Sequence, residues 1–433
     1  MGTRCSSIGF GRSGCRHVIR PAEGAYARVG AFSWKIPAVT RVPSESEKRV
    51  EPLELFFDLV FVFALTQVTA RLSDDLSATG LLRGLLILAA IWWAWAAYAW
   101  LTNEVDSRRR GVRLAVFASM ASMLLAALAI PTAFEENGLL FGCAYLTVRV
   151  LHIVVFAAAS DDIDVRDAAR QLAPTALFAP ALLVVAASLE GTLQIALWMF
   201  ALLVDYLGAA LRGIEGWRLS PGHFAERHGL IVIIAFGESI VAVGVGAAGL
   251  ELRLGVLAAA VLGMVVVASL WWTYFDDALL AVEARIREAT GRARNVMARD
   301  SFSFLHLPLV GGIVLLALGV KKTLAAVDEP LELVPALGLG GGVALYLVAD
   351  VAFRRRALAI LERDRLLAAL ACALVVPVAT LIPALGALAI AAGVCVALVV
   401  FETMLLARAR SPTLPGGRSG RRQSASSGRA PSP

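Results

Sequence analysis

The chain has 433 residues, of which 58% are hydrophobic and 17% are charged, and its mean hydropathy is +0.74. A soluble domain of this length needs more charge on its surface, because a buried core cannot absorb so much apolar sequence. The composition therefore excludes an ordinary soluble protein and indicates one whose solvent is the lipid bilayer. The net charge of +6 comes from Arg residues in short segments between apolar runs, so nucleic acid is not predicted as a partner.

The two ends of the chain are polar and basic. Residues 1–50 are rich in Gly, Ser and Arg and lack the apolar core of a signal peptide, so we predict a disordered cytoplasmic arm. Residues 408–433 have the composition of a disordered basic tail.

Apolar runs of roughly 17–24 residues, the length that crosses about 30 Å of hydrocarbon, fill the chain between these ends. They predict an all-α, polytopic integral membrane protein with about twelve transmembrane helices. The last two runs flank Pro383, which leaves a single re-entrant unit as an alternative. The predicted spans are 52–71, 81–101, 112–131, 138–159, 171–189, 192–211, 229–249, 253–274, 301–320, 331–352, 366–382 and 384–407.

Positively charged residues predict the orientation of these spans. One set of loops, which includes both termini, carries most of the Lys and Arg, whereas the opposite set is acidic at 73–75 and 135–137. Because Lys and Arg favour cytoplasmic loops, we expect both termini in the cytoplasm.

The sequence also contains a tandem repeat. At a shift of 171 residues, 53–68 align without a gap with 224–239, which places Gln67 opposite Glu238. Six spans per half is an even number, so the prediction is two parallel six-helix halves related by an axis along the membrane normal. Charged residues also occupy corresponding positions in the fourth spans (Arg149 and Asp350) and the sixth spans (Asp205 and Glu402).

The repeat sets the predicted domain organisation. The first half covers 51–211, a cytoplasmic linker covers 212–228, and the second half covers 229–407. Trp and Tyr clusters end the second span of each half, where an aromatic belt at the membrane interface is the simplest interpretation: Trp92, Trp93 and Tyr98, then Trp271, Trp272 and Tyr274.

Charged side chains inside the spans are the candidate functional residues, because each costs about 2.5–3.5 kcal/mol on insertion scales. Glu238 lies near the middle of span seven among Gly237, Gly244 and Gly246, which would let an ion or another helix approach. It is either a proton or cation site or a structural partner of Arg149.

Span one and span four carry further candidates. Asp58 lies one turn deeper than Glu54, so helix-dipole stabilisation explains Glu54 better than Asp58. Arg149 and His152 share a face of span four. Arg149 must be paired, and Asp205, Glu238 and Asp350 are all open as partners.

No enzyme, nucleotide-binding or metal motif is present in the sequence, and the five cysteines are scattered. We therefore predict no catalytic activity, cofactor or metal site. The expected partners are the lipid bilayer and a small ion or solute, and self-association into a homo-oligomer is left open.

With these residues in view, the chain resembles the bacterial low temperature requirement protein A family. The likeness is carried by PLELFFDLVFVFALTQVT (52–69), IWWAWAAYAWLTN (91–103), AYLTVRVLH (144–152) and SPGHFAERHGLIVIIAFGESIVAVG (220–244). The resemblance implies a bacterial plasma-membrane protein, and the family is named for growth in the cold.

Span one has a second, weaker likeness to the first helix of potassium channels that carry an Arg-x-x-x-Phe-Ser-Asp motif. Here Phe57 stands in place of the Ser and Pro52 in place of the Arg, so only the tandem architecture is carried over.

The favoured hypothesis is a transporter or cation pathway between the two halves. The alternatives are a membrane sensor or assembly protein in cold or membrane stress, and a lipid-modifying intramembrane enzyme.

Overall fold

The structure, a computed structural model, describes most of the chain between the two basic ends. The predicted arm and tail therefore lie almost entirely outside the described residues. Within the described part the elements are helices and short connections, which confirms the prediction of an all-α fold. The described residues are 48–159, 162–211, 217–248 and 250–410.

Fifteen α-helices follow one another in this part of the chain. Three π-helical turns, Tyr274–Ala278, Arg299–Phe304 and Leu337–Gly341, join α8 to α9, α10 to α11 and α12 to α13. The helices are α1 (Pro52–Asp74), α2 (Ala78–Glu104), α3 (Arg110–Ala129), α4 (Gly138–Ala159), α5 (Ile163–Ala186), α6 (Gly191–Leu211), α7 (Pro221–Ala247), α8 (Leu254–Thr273), α9 (Leu279–Glu288), α10 (Gly291–Ala298), α11 (His306–Ala325), α12 (Leu333–Ala336), α13 (Gly342–Leu358), α14 (Arg363–Ala379) and α15 (Ala384–Arg410).

Eleven helical segments of the described chain are long and apolar enough to cross a membrane. Helix α14, with 17 residues, corresponds to the predicted span 366–382 and brings the number to twelve. Its C-terminal end is fixed by a hydrogen bond of 2.8 Å from the Leu331 amide to the Ala379 carbonyl. Since α14 and α15 are separate helices, these data support about twelve spans and a multi-pass membrane protein.

Glycines allow α11, α13 and α14 to pack closely. A Cβ atom on Gly312 of α11 would lie 2.6 Å from the Gly342 carbonyl oxygen of α13. A Cβ on Gly340 would lie 2.6 Å from the Cys372 carbonyl oxygen of α14. The glycine-rich segment 337–344 therefore serves helix packing.

Helices α1 and α7 run parallel, because residues later in α1 contact residues later in α7. Helix α7 begins at Pro221, so residues 221–228, predicted as part of a linker, form its first two turns. Proline suits this position because the first helical N–H has no partner in the helix. The parallel direction agrees with an even number of spans per half, while the two-half arrangement itself stays a prediction.

The aromatic residues at the end of α2 are in the core. Trp92, Trp95 and Tyr98 are at most 1% exposed, so the interpretation as an interfacial belt is wrong for α2. Their rings pack on α1, α4 and the segment before α11, as Phe57 against Tyr98 shows. In the second cluster Trp271 and Trp272 are 42% and 45% exposed, as lipid-facing rings would be, whereas Tyr274 is fully buried, so the interpretation is also wrong for Tyr274.

Candidate functional site

Two buried pairs of opposite charge join α1 to α7. The Nε2 atom of His223 lies 2.9 Å from a carboxylate oxygen of Glu54, and an Nη of Arg227 lies 2.9 Å from an oxygen of Asp58. All four side chains are at most 2% exposed. Because acids come from α1 and nitrogen-bearing groups from α7, these contacts fix the register of the two helices.

Neighbouring residues complete this arrangement. The indole N–H of Trp95 donates to Asp58 over 2.8 Å, and the guanidinium of Arg227 lies 5.7 Å from the Trp95 ring. The amide nitrogen of Asn103 lies 3.0 Å from Nδ1 of His223. Asp58 is thus held by two donors, so a salt bridge accounts for its burial.

Glu238 has a different environment. The Thr66 hydroxyl of α1 donates to its carboxylate over 2.6 Å, and the residue is 3% exposed. Among the described residues it forms no ion pair. Gln67, which the repeat aligns with Glu238, is half-buried, and the adjacent Thr66 makes the contact instead.

The three glycines near Glu238 differ in the space around them. A Cβ added to Gly237 or Gly244 would meet no heavy atom within 4 Å, so no helix packs against them there. Only Gly246 is close to another helix, where it faces Lys321 of α11. The expectation of close helix approach is therefore confirmed for Gly246 alone.

In the first six helices, Arg149 is paired with Asp205. The distance between their nearest atoms is 2.9 Å, and both side chains are 2% exposed. Of the three partners that the sequence left open, the structure thus selects Asp205. His152, one turn from Arg149, lies near the Ala97 carbonyl without a hydrogen bond of normal geometry.

The second group of helices contains a larger cluster of charges. Arg365 of α14 bonds to Asp350 of α13 and, through two nitrogens at 2.6 and 2.9 Å, to Glu402 of α15. Arg354 lies 3.5 Å from Asp350 and 3.1 Å from Glu362. Glu362 lies in the connection between helices, where burial raises the pKa of its carboxyl group although Arg354 and Arg365 lower it.

The eight sequence-predicted residues therefore divide among three groups of contacts. Asp58, Gln67 and Glu238 lie on α1 and α7, Arg149 pairs with Asp205 near His152, and Asp350 joins Glu402 through Arg365. No group of three or more His, Cys, Asp or Glu side chains in the described ranges is arranged to hold a metal ion.

The sequence interpretation did not single out Arg227 and His223 as partners of span one. The signal was present, because Glu54 and Asp58 are four residues apart and so are His223 and Arg227. Two parallel helices with matching four-residue spacing bring both pairs into contact in one register. Arg365 was likewise counted only as a loop charge.

The helices and their buried charges define a multi-pass α-helical membrane protein with ionisable groups inside the bundle. Residues 49–400 match the profile of a family described as bacterial low temperature requirement A protein (LtrA). The chain belongs to this family. It is also 32% identical over 317 residues to an uncharacterized protein of Rhizobium meliloti (strain 1021), a match that covers 70% of this chain and 76% of that protein.

Proposed function

We propose that this LtrA-family protein moves a proton or a monovalent cation across the membrane, and that the carboxylate of Glu238 binds it. The observation that carries the proposal is the contrast between Glu238 and the other buried acids. The carboxylate of Glu238 interacts with the hydroxyls of Thr66 and Thr69 and lies within electrostatic range of Lys321, but within the described chain it forms no ion pair. Glu54 is paired with His223, and the remaining acids inside the bundle are paired with Arg: Asp58, Asp205, Asp350 and Glu402.

The contrast matters because a charge in a low-dielectric interior needs compensation. An arginine keeps its proton at all relevant pH values, so the Arg-paired acids are already neutralised. A buried carboxylate without an ion pair is costly to leave charged, and binding of a proton or cation removes that cost. Glu238 is thus the acid suited to exchange an ion.

The surroundings of Glu238 support the same proposal. Gly237 and Gly244 lie on the outward face of α7 together with the exposed Ile240 and Val241, so an ion would reach Glu238 from the side that faces α1. On the Arg-rich side, the pairs that include Glu54 and Asp58 provide polar groups along the same two helices. The proposed activity is movement of an ion and not a chemical conversion.

The test is ion flux into proteoliposomes that contain a pH-sensitive dye. Potassium, sodium and proton gradients are imposed in turn on wild-type protein and on Glu238→Gln. We expect flux with one of these gradients and a loss of at least about tenfold in the variant, because the amide keeps the shape but cannot ionise. Equal rates in both proteins would remove Glu238 from the mechanism.

A matched control is Glu251→Gln, which makes the same chemical change on an exposed residue in the connection after α7. Its flux should equal that of wild type. Correctly inserted wild-type protein that shows no flux with any of the three gradients would contradict the proposal.

A further inference from the structure

A small cavity lies among α2, α4, α5 and α6, beside the π-helical turn that precedes α11. Its volume is about 60 Å³, enough for a few atoms but not for a large solute. The part of each helix that lines the cavity lies towards its end on the Arg-rich side of the bundle. The lining residues are Trp93, Ala96, Ala97, Trp100, Arg149, His152, Leu172, Ala209, Trp217 and Arg299.

The polar groups of this lining are mainly hydrogen-bond donors. They are two guanidinium groups, one imidazole and three indoles, and no carboxylate is among the lining residues. The indole N–H groups of Trp93 and Trp100 already interact with Asp205 and Ser303, which leaves that of Trp217 for a ligand. Asp205 and Asp300 neutralise the two guanidinium charges, so the cavity differs from the environment of Glu238 by its surplus of N–H donors and not by its net charge. A lining rich in donors and poor in acceptors is complementary to a ligand that carries oxygen acceptors.

Both guanidinium groups are held in place by acids outside the lining. Arg149 bonds to Asp205 at 2.9 Å. Arg299 bonds to Asp300 at 2.8 Å and to the Ala210 carbonyl at 2.8 Å. The two cations are therefore positioned before any ligand arrives, which lowers the cost of ordering them on binding.

Several nitrogens of the lining residues have no partner in the described structure. They are Nε of Arg149, both ring nitrogens of His152 and Nε1 of Trp217, and all are shielded from solvent. Buried groups of this kind carry a desolvation cost that a suitable ligand recovers. Small rotations of the imidazole and indole rings would let an acceptor inside the cavity reach them.

We propose that this cavity binds a small oxyanion, namely a carboxylate or phosphate group of only a few heavy atoms. Two sources supply this chemistry: a free anion such as acetate, bicarbonate or inorganic phosphate, and the headgroup phosphate of a lipid. The proposal goes beyond cation movement at Glu238 and does not depend on it.

The test is thermal unfolding of the full-length protein in detergent with increasing acetate, bicarbonate or inorganic phosphate. Potassium gluconate, which is too large for the cavity, keeps the ionic strength constant. A ligand that binds the folded state raises the unfolding temperature in a saturable way. We expect such a rise with at least one of the three anions.

Two variants locate the binding. Trp217→Phe keeps an aromatic ring but removes the N–H, and should raise the half-saturating concentration by about tenfold. Leu172→Trp fills the cavity without removing a polar group and should abolish the effect. The matched control is Trp272→Phe, a change at a ring that is 45% exposed, and it should behave like wild type.

The proposal would be overturned if wild type showed no saturable rise in unfolding temperature. It would also be overturned if the half-saturating concentration were equal in wild type, Trp217→Phe and Leu172→Trp.

Nanodiscs distinguish the two sources of the oxyanion. A weaker acetate effect in phospholipid nanodiscs than in a detergent without phosphate identifies a lipid headgroup as the occupant, and equal effects identify a free anion. Glu238→Gln should retain the acetate effect even where its ion flux is lost.

Discussion

The pair formed by Asp58 and Arg227 shows how single residues hold this bundle together. Both side chains are at most 1% exposed and lie 2.9 Å apart. Removing two charges from water is expensive, and their mutual attraction offsets this cost only while both are present. The pair therefore specifies how α1 meets α7 more than it adds net stability.

Replacing one member of this pair should be far more damaging than replacing both. We expect Arg227→Met to destabilise the protein by about 3–5 kcal/mol, because Asp58 is left as an uncompensated buried charge. The double variant with Asp58→Leu should recover most of that loss. Unfolding curves in detergent measure the difference, and Arg113→Met, an exposed change, is the control.

The result would be contradicted if the double variant were as unstable as the single one. The pair would then act through packing of the Arg side chain and not through charge.

At the residue scale, the sequence identified the charged residues inside the bundle, but it did not identify most of their partners. Glu238 and Asp58 were identified because charge is rare in apolar spans. Asp58 is paired with Arg227 and Glu238 is not, and the apolar spans alone do not show this difference. Arg227 lies before the apolar run of α7 and was interpreted as a loop residue. The register between two helices decides which acid is neutralised.

At the level of helices, close packing depends on glycines. Gly312 lets α11 approach α13, with the Tyr346 amide nitrogen 2.7 Å from the position that a Cβ would take. Backbone atoms cannot move aside as a flexible side chain does, so any side chain at this position pushes the helices apart.

We expect Gly312→Ala to destabilise the protein by about 1–3 kcal/mol, the usual cost of overpacking. Gly244→Ala is the matched control, because its Cβ would meet open space. Thermal unfolding of both variants in the same detergent checks the difference. An unaffected Gly312→Ala protein would show that α11 and α13 are further apart than described.

Helix existence was predictable and helix ends were not. Apolar runs of membrane-spanning length identified the spans, since the bilayer demands them. The predicted helix ends were wrong where polar residues continue a helix inside the bundle. Residues 221–228 of α7 are the clearest case, because the acids of α1 satisfy His223 and Arg227 away from water.

For the whole molecule, the distribution of charge gives the orientation that we propose: both termini in the cytoplasm of a bacterial inner membrane. The Arg-rich connections, such as the one at 108–110, lie at one set of helix ends, and the acidic 135–137 lies at the other. Parallel α1 and α7 support the same alternation.

Reporter fusions test this orientation. Green fluorescent protein fused after Pro433 should fluoresce, and alkaline phosphatase at the same position should be inactive, because the first requires the cytoplasm and the second the periplasm. A fusion after Glu136 should give the reverse pattern and is the control. Active phosphatase at Pro433 would invert the proposed orientation.

The shortness of α14 has a consequence for the lipids around it. Seventeen residues rise about 26 Å, whereas a typical hydrocarbon core is about 30 Å thick. The end of α14 is tied to Leu331, so the surrounding acyl chains must compress to match it. This hydrophobic mismatch costs a fraction of a kcal/mol per Å and grows as a membrane thickens on cooling. Among the described spans α14 is the shortest, so we expect the fit between protein and bilayer to change most with temperature there.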